Sequence, residues 1–453
     1  MTPIQLRLAN VVASIAYLLL FISLYESYIS IKWAYLLLVY YEPSLWTVVK
    51  MVGLVSIAAL SLSGRVDRPS SIVVWFLFAF VFVPTVAVSN LITYAPERFD
   101  LPILAMTAVF VASGFILSDS SPRRPAFHHI PEVFVLGMTA IWAVLSLLLF
   151  MRYFSILSFA GLDNVYEQRD LAAETKVGVL FSYGRTYYAA VFSPVLMAYG
   201  LAARRYQFLA LGLLGSGLGY AIAAEKAALI LPIIMLGIWQ TRRMQLAYTP
   251  LYTASIAGLS AFCALLTNHT VIARYFADLI LMRAIAVPGQ TLSQYHDYFT
   301  IHGHTWWSHV RGISSIVPAP TGLSRDPQWP ELGRMIGGAF FGFSSGQNSN
   351  ANLFVSDGVA AGGWIGVLII GAALVGWLRV LDFSTRQWPS TLVILLLVPV
   401  AMALTNGPLT TVLLSFGGLF WTAVFLITYQ SLNSTNRTQR SAPIGRLGSG
   451  ATR

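Results

Sequence analysis

Apolar runs of the length needed to cross a lipid bilayer recur along this chain. A helix rises about 1.5 Å per residue, so a hydrocarbon layer of about 30 Å requires roughly 20 predominantly apolar residues. The composition agrees, because 57% of the 453 residues are hydrophobic and only 10% are charged. The sequence therefore predicts an all-α, polytopic membrane helix bundle.

The apolar runs predict about twelve transmembrane helices of roughly 17 to 22 residues each. Their approximate limits are 8–25, 45–63, 71–92, 101–117, 133–151, 186–203, 206–223, 226–241, 249–267, 361–378, 389–406 and 410–430. Three groups of predicted helices result: helices 1–5 in 1–151, helices 6–9 in 186–267 and helices 10–12 in 361–430. Two large outer loops separate them, 152–185 and 268–360, and 431–453 is a cytoplasmic tail.

Arginine residues indicate the orientation of these helices. Cytoplasmic connections collect lysine and arginine, and the arginines of alternate connections share one side when the N-terminus is cytoplasmic. They are Arg65, Arg68, Arg123, Arg124, Arg204, Arg205, Arg242, Arg243, Arg379, Arg386, Arg437, Arg440, Arg446 and Arg453. Membrane orientation explains the net charge of +10 better than nucleic acid does, so no nucleic-acid partner is expected.

Two adjacent charges, Glu225 and Lys226, interrupt the apolar stretch YAIAAEKAALILP. A charge at the centre of a bilayer costs about 2.5 to 3.5 kcal/mol on insertion scales, so charges that occur there are usually paired or functional. The two residues fall at a tight turn near the outer interface. Either they are a mutually neutralising pair that reaches water, or Lys226 is a cation for an anionic lipid head group.

The first outer loop contains VYEQRD, in which Tyr166 precedes Arg169. The mixed charges around Arg169 are typical of a solvated helix with local ion pairs. A guanidinium is also planar and permanently charged, and it donates parallel hydrogen bonds that suit a phosphate. The residues alone allow both interpretations.

The second outer loop holds five of the seven histidines, at positions 269, 296, 302, 304 and 309. Its HGHTWWSH stretch lacks the two histidines, four residues apart with an intervening glutamate, that are typical of helical zinc hydrolases. No metal site is therefore predicted. A histidine here is a candidate general base, a hydrogen-bond donor or a packing residue at the interface.

The stretch GQNSNANLFVSDG is rich in amides and ends beside an aspartate. Its asparagines either form turns and caps or hydrogen-bond the hydroxyl groups of a sugar. The chain has no phosphate-binding Gly-Lys-Ser loop and no dinucleotide fingerprint in a suitable context, so no nucleotide cofactor is expected.

Several of these stretches, in this order, resemble the O-antigen polymerase family, the oligosaccharide repeat-unit polymerases of the Wzy type. The similarity runs from about Tyr166 to Gly366. It consists of VYEQRD, AEKAALILP, RAIAVPGQTLSQYHDYF, WSH, and IGGAFFGF followed by NANLFVSDG. The succession of these strings at their topological positions carries the resemblance.

The resemblance implies a GT-C-like glycosyltransferase of the bacterial inner membrane, with the outer loops and the active site facing the periplasm. It implies that a growing glycan is transferred from one undecaprenyl diphosphate to the sugar unit carried on another. The implied partners are this lipid-linked oligosaccharide, membrane lipid, a flippase, and a co-polymerase that regulates chain length.

The chemistry implied by the resemblance assigns roles to the polar residues. Departure of a lipid diphosphate leaves negative charge, which fixed cations stabilise. We predict a diphosphate cradle formed by Arg169, Lys226, Arg283 and Arg311. Further substrate contacts are predicted from Tyr166, Asn350 and Asn352. The general base for the acceptor hydroxyl is predicted to be His304, His309 or Asp357.

Two other functions are alternatives to polymerisation. A ligase that passes a lipid-linked glycan to a lipid A core would share the large outer loop and the arginine and histidine chemistry, and only the order of the motifs favours the polymerase. A flippase or transporter predicts polar groups spread through many spans, whereas the polar groups of this sequence gather on one side of the membrane.

Overall fold

The computed structural model describes residues 2–117, 132–159, 168, 171–172, 178–267 and 269–428, with only the backbone described at positions 272, 283 and 284. Most residues in these ranges are helical, none of them forms a strand, and one isolated bridge joins Arg65 to Tyr248. The all-α prediction is therefore confirmed. The predicted site residues Tyr166 and Arg169 lie outside the described ranges.

The helices follow one another through mostly short connections. In chain order they are α1 (Pro3–Lys32), α2 (Leu45–Ser61), α3 (Pro69–Leu91), α4 (Pro96–Ile116), α5 (Glu132–Ile156), α6 (Val179–Tyr187, Tyr188–Phe192 and Ser193–Ala202), α7 (Tyr206–Ala223), α8 (Lys226–Arg243), α9 (Thr249–Leu266), α10 (Val271–Asp278, Leu279–Ala286 and Val287–His302), α11 (Leu332–Phe341), α12 (Phe354–Ser384), α13 (Ser390–Leu404), α14 (Leu409–Ser415) and α15 (Gly418–Thr428). Several of these helices include short π-helical or 3₁₀ turns.

Local sequence explains where helices begin. At the start of α1, the Thr2 hydroxyl accepts a hydrogen bond from the backbone N–H of Gln5, whose side chain accepts one from the Thr2 backbone. This reciprocal pair is a capping box, which satisfies donors that the first turn of a helix leaves unpaired. Ser44 caps α2 in the same way by accepting from the Thr47 N–H.

Seven helices in the described ranges are long and apolar enough to cross a membrane, namely α1, α3, α4, α5, α7, α9 and α12. Helices α14 and α15 are bent by 58° relative to each other, and they make an eighth span if the pair crosses together. Helices α2 and α13 are apolar but shorter, and α8 carries Lys226, Arg242 and Arg243 within its 18 residues. The apolar helices indicate a multi-pass membrane protein, while the count of about twelve spans stays a prediction.

One end of the bundle, which we call the arginine end, gathers arginines from the predicted inner connections. Arg242 donates to the carbonyl oxygen of Val66, Arg379 donates to that of Ile116 at 2.9 Å, and Arg68 donates to that of Leu117. Carbonyl groups at a helix C-terminus lack intrahelical partners and attract cations. Arg68 and Arg379 therefore stabilise the end of α4, while Arg242 binds the connection between α2 and α3 at the same end of the bundle.

The opposite end contains the segment 269–360, most of which is helical. In α10 every residue from Pro288 to Tyr295 is buried. A Cβ atom at Gly289 would lie 2.4 Å from the Cβ of Val88 and 3.0 Å from the carbonyl oxygen of Pro84, so α10 packs tightly against α3. The second predicted outer loop thus packs into the bundle.

Helix α12 is broken near its start. Gly363 has φ +59° and ψ −138°, and its neighbour Gly362 is also non-helical. Glycine alone adopts such a positive-φ conformation readily, because it has no Cβ atom. A Cβ atom at Gly366 would lie only 2.1 Å from the carbonyl oxygen of Gly358, so the chain segments before and after the break are in direct contact.

Replacing Gly366 with alanine should destabilise the protein by about 1 to 3 kcal/mol, because the added methyl group meets backbone and not a movable side chain. Gly376→Ala is the matched control, since it lies in the same helix and its added Cβ has no atom within 4 Å. Thermal unfolding of both purified variants in detergent measures the difference. Equal unfolding midpoints would contradict the close contact across the break.

Candidate functional site

Asp357 and His309 form a buried pair next to the break in α12. The Asp357 side chain is fully buried, and its Oδ1 atom lies 3.7 Å from Nε2 of His309. Its Oδ2 atom accepts a hydrogen bond from the backbone N–H of Thr410 at 3.4 Å. The separation of 3.7 Å is too long for a direct hydrogen bond, but it keeps the carboxylate and the imidazole in electrostatic contact.

His309 is oriented from its other ring nitrogen. Its Nδ1 atom is hydrogen-bonded to the Thr305 hydroxyl at 2.9 Å, which leaves Nε2 facing the carboxylate of Asp357. An imidazole held by one partner and flanked by a carboxylate is a common arrangement for proton transfer, because the carboxylate stabilises the protonated ring. The geometry therefore suits His309 to accept a proton.

His304 lies over the same break. A Cβ atom at Gly363 would be 3.4 Å from Nε2 of His304. The Nδ1 atom of His304 is buried and has no hydrogen-bond partner among the described residues. Burial lowers the pKa of His304 below its usual value, and the nearby His296 lowers it further, while a backbone contact to Val359 partly offsets both. The neutral form of His304 is thus favoured.

The segment between His304 and His309 has a strained backbone and is hydrogen-bonded to the start of α12. Trp306 and Trp307 have φ values of +48° and +60°, which bulky residues rarely adopt. The backbone N–H of Thr305 donates to the carbonyl oxygen of Ala360 at 2.8 Å, and that of Trp306 donates to Ala361 at 2.9 Å. Strain of this kind persists only where surrounding contacts hold it, and it is frequent at functional sites.

The amide-rich stretch before α12 contributes one buried side chain and one exposed one. Asn352 is buried, and its Oδ1 atom accepts from the backbone N–H of Phe354 at 3.0 Å. Asn350 is exposed and packs beside Gly333 of α11. The buried Tyr295 donates to the carbonyl oxygen of Ser349 at 3.0 Å, which ties this stretch to α10.

Seven of the described buried polar side-chain atoms that lack a hydrogen-bond partner belong to the elements that form this site or pack against them, and we call this group the polar seam. The seam joins α3, α10, the histidine segment and the start of α12. In the described ranges its buried atoms without a hydrogen-bond partner are Thr85 Oγ1, Asn90 Oδ1, Gln294 Nε2, His296 Nδ1, His304 Nδ1, Asn352 Nδ2 and Asp357 Oδ1. Buried polar atoms are normally paired, so a concentration of unpaired ones indicates capacity to bind a polar ligand.

Arg98 is a cation of this region that the sequence did not single out. Its Nη1 atom lies 3.2 Å from Oδ1 of Asp297, which in turn is 3.6 Å from Nδ1 of His296. The Arg98 guanidinium also stacks over the ring of Phe99, 4.6 Å from its centroid. The only sequence signal was the charged stretch PERFD, which forms the first turns of α4 and is typical of ordinary surface loops.

The predicted cations belong to different elements of the chain. Lys226 stands over the ring of Tyr275 in α10, with Nζ 4.7 Å from the centroid. Arg311 is exposed and follows His309 by two residues. Arg283 lies in the Leu279–Ala286 turn of α10, where only its backbone is described. The convergence of the four predicted cations stays a prediction.

Gln168, the residue before Arg169, anchors the first outer loop. Its Nε2 atom donates to the carbonyl oxygens of Ile156, Ala221 and Ile222 at 2.7, 3.1 and 3.2 Å. Ala221 and Ile222 end helix α7, directly before the turn that leads to Lys226. Two of the segments predicted to supply cations therefore meet at the end of α7.

Within the described part of the chain, no three His, Cys, Asp or Glu side chains come together in an arrangement that could hold a metal ion. The site consists instead of a histidine and carboxylate pair, neutral polar groups and nearby guanidinium cations.

Comparison of the chain with protein-family models, with curated proteins and with solved structures returned no significant match.

Acid should destabilise the protein through His304. Its pKa is lowered in the folded state from the ordinary value of 6.5, so below about pH 6.5 the unfolded chain binds a proton that the folded chain resists. The contribution of neutral His304 to the free energy of unfolding is therefore complete above about pH 6.5, and it declines as the pH falls below that value. We expect His304→Asn to flatten this decline, as measured by thermal unfolding in detergent between about pH 8 and pH 5.

The exposed His302 provides the control for that experiment. His302 lies outside the break and stacks on Tyr298, with ring centroids 4.2 Å apart. The variant His302→Gln should keep the acid sensitivity of the unchanged protein. An unaltered decline in His304→Asn would contradict the assignment of acid sensitivity to His304.

Proposed function

We propose that this protein is a membrane glycosyltransferase that polymerises undecaprenyl-diphosphate-linked oligosaccharide repeat units, as in the synthesis of O-antigen or a related surface polysaccharide. One observation carries the proposal. Three residues predicted as candidate bases from two separate stretches, His304 and His309 from one and Asp357 from the other, lie around a single buried helix break. A GT-C-like architecture with about twelve spans belongs to the same proposal.

The proposed orientation follows from the arginine end. Arginine-rich connections face the cytoplasm in most multi-pass proteins, so the histidine-bearing end would face the periplasm of a bacterial inner membrane. Lipid-linked repeat units delivered by a flippase would reach this side, where a chain-length-regulating co-polymerase would also act. The polar seam belongs to α3, α10 and the start of α12, helices of an apolar bundle, and in this proposal it binds the sugar head of a substrate that has a lipid tail.

In the proposed reaction, a hydroxyl oxygen of the acceptor sugar attacks the anomeric carbon of the donor glycan. The bond between that carbon and the diphosphate oxygen breaks, and the lipid diphosphate leaves with the bonding electron pair. The proton of the acceptor hydroxyl passes to Nε2 of His309. Asp357 then stabilises the protonated ring across the 3.7 Å gap. Attack opposite the leaving group would invert the anomeric centre.

Sugar hydroxyls would bind the unpartnered amides of the polar seam. The Nδ2 atom of Asn352 and the Nε2 atom of Gln294 are both buried donors without a hydrogen-bond partner in the described ranges. Amide groups bind hydroxyls well, and buried donors gain more from such a bond than exposed ones. His304, whose neutral form is favoured, is the second candidate base or a donor to the substrate.

The leaving diphosphate requires cations. We add Arg98 to the predicted cradle of Arg169, Lys226, Arg283 and Arg311. Arg98 is paired with Asp297, whose carboxylate also lies close to His296. The Arg98 side chain is 40% exposed, so its guanidinium keeps donors available for a phosphate oxygen. Such preorganised charge stabilises the transition state most where water is excluded.

The purified protein should convert a defined undecaprenyl-diphosphate repeat unit, supplied without any other acceptor, into a ladder of multimers on a gel. A ligase needs a lipid A core as acceptor, so a product that appears only when that core is added would support ligation instead. A flippase would move the substrate across a vesicle membrane and leave its length unchanged. Either result would contradict polymerisation.

Asp357→Asn and His309→Gln should each lower the polymerisation rate by roughly 100-fold or more, which is the usual contribution of general acid and base groups. His302→Gln is the matched control, because His302 lies on the exposed end of α10 and should change the rate by less than about twofold. Membrane abundance and unfolding midpoint are measured alongside. Normal ladders from both buried-pair variants would remove the pair from the mechanism.

Arg98→Gln should raise the apparent KM for the lipid-linked donor by roughly tenfold, the loss expected for one charge-assisted contact to a phosphate. Arg386→Gln is the control, since Arg386 makes a similar stack over Phe383 at the arginine end. Kinetics in mixed micelles of fixed composition separate KM from kcat. An unchanged KM in a stably folded Arg98→Gln protein would limit Arg98 to holding Asp297.

A further inference from the structure

A polar cavity of about 450 Å³ opens at the arginine end, far along the bundle from the proposed catalytic site. It lies between the starts of α1 and α3 and the ends of α2 and α4. Its charged lining consists of Arg7, Arg65, Arg68 and Asp67, and its hydroxyl lining consists of Ser61, Ser63, Ser70, Ser71 and Ser113. Three arginines against one aspartate make the formal charge of the lining +2.

Part of this positive charge is available to a ligand. Arg7 makes no hydrogen bond or ion pair with the described residues, and it belongs to the exposed face of α1. Arg65 donates to the Tyr248 hydroxyl at 3.3 Å and stacks on its ring, which holds its guanidinium beside the cavity. Arg68 is bonded to the Leu117 carbonyl and lies 3.5 Å from Asp67. Arg7 and Arg65 therefore have guanidinium donors to spare.

The surroundings of the cavity are apolar. Leu6, Leu62, Val74 and Leu117 contribute to its lining. On α1 the neighbouring Ile4 and Leu8 are 71% and 55% exposed, as expected for side chains that contact lipid. A charged, head-group-sized cavity with an apolar border on a membrane helix bundle matches the two parts of a phospholipid.

We propose that this cavity binds the phosphate of an anionic membrane phospholipid, with Arg7 and Arg65 as its guanidinium ligands and the serine hydroxyls as further donors. Basic pockets between membrane helices on the cytoplasmic side commonly bind anionic head groups. A bound lipid would join the starts of α1 and α3 to the ends of α2 and α4, and it would stabilise the bundle by mass action. The proposal is independent of the glycosyl transfer proposed above.

The test uses the full chain in mixed micelles in which phosphatidylglycerol replaces phosphatidylcholine at constant total lipid. The proposal expects the unfolding midpoint to rise with the fraction of phosphatidylglycerol and to saturate. It would be overturned by equal midpoints in the two lipids. It would also be overturned by inorganic phosphate, at the same concentration in phosphatidylcholine micelles, producing the same rise, because the site would then bind a small anion.

Variants locate the site. Arg7→Gln should weaken the apparent affinity for phosphatidylglycerol roughly tenfold, and a double variant with Arg65→Gln should weaken it further. Arg7→Gln should also fold normally in phosphatidylcholine, because Arg7 contacts no described partner. Arg243→Gln is the control, since Arg243 stacks on Trp239 at the same end but does not line the cavity. An unchanged affinity in the double variant, or an equal loss in Arg243→Gln, would overturn the proposal.

Discussion

The hydrogen bonds across the break in α12 are the constraint on which the candidate site depends. Ending a helix at Gly362 and Gly363 releases carbonyl groups that need new donors. The backbone N–H groups of Thr305 and Trp306 supply them, and they carry the histidine segment to the face where Asp357 is buried. A continuous helix would satisfy its own carbonyls and leave that segment without a backbone attachment, so the histidines and the carboxylate would not meet.

Burial explains why this small group of polar residues matters more than its size suggests. Asp357 is completely buried, yet its contacts among the described residues are one long backbone hydrogen bond and His309 at 3.7 Å. A carboxylate so sparsely compensated is unfavourable for stability, as are the unpartnered amides near it. Polar groups that a membrane protein keeps at such a cost usually serve its function. In a low dielectric their mutual influence is also strong.

Residue types indicate candidate site residues, whereas tertiary contacts decide how the segments between the apolar runs pack. Asp357 and the histidines were identifiable because polar residues are scarce in this chain, whereas Arg98 was missed because its partner Asp297 is about 200 positions away. The second outer loop was predicted because 268–360 contains no apolar run of membrane-spanning length. In the structure Pro288 and Gly289 lie within α10, and Gly289 permits close packing on α3. Only tertiary contacts distinguish the two outcomes.

The two ends of the bundle handle unpaired backbone groups with different chemistry. At the arginine end, side chains such as Arg379 reach the last carbonyls of neighbouring helices, so residues that are predicted to set the orientation of the protein in the membrane also stabilise helix ends. At the other end, backbone donors and neutral side chains perform that role, and a single carboxylate is buried among them. At that end, burial and the neighbouring His296 keep the pKa of His304 below its usual value, while the arginines that pair with helix carbonyls lie at the arginine end of the bundle.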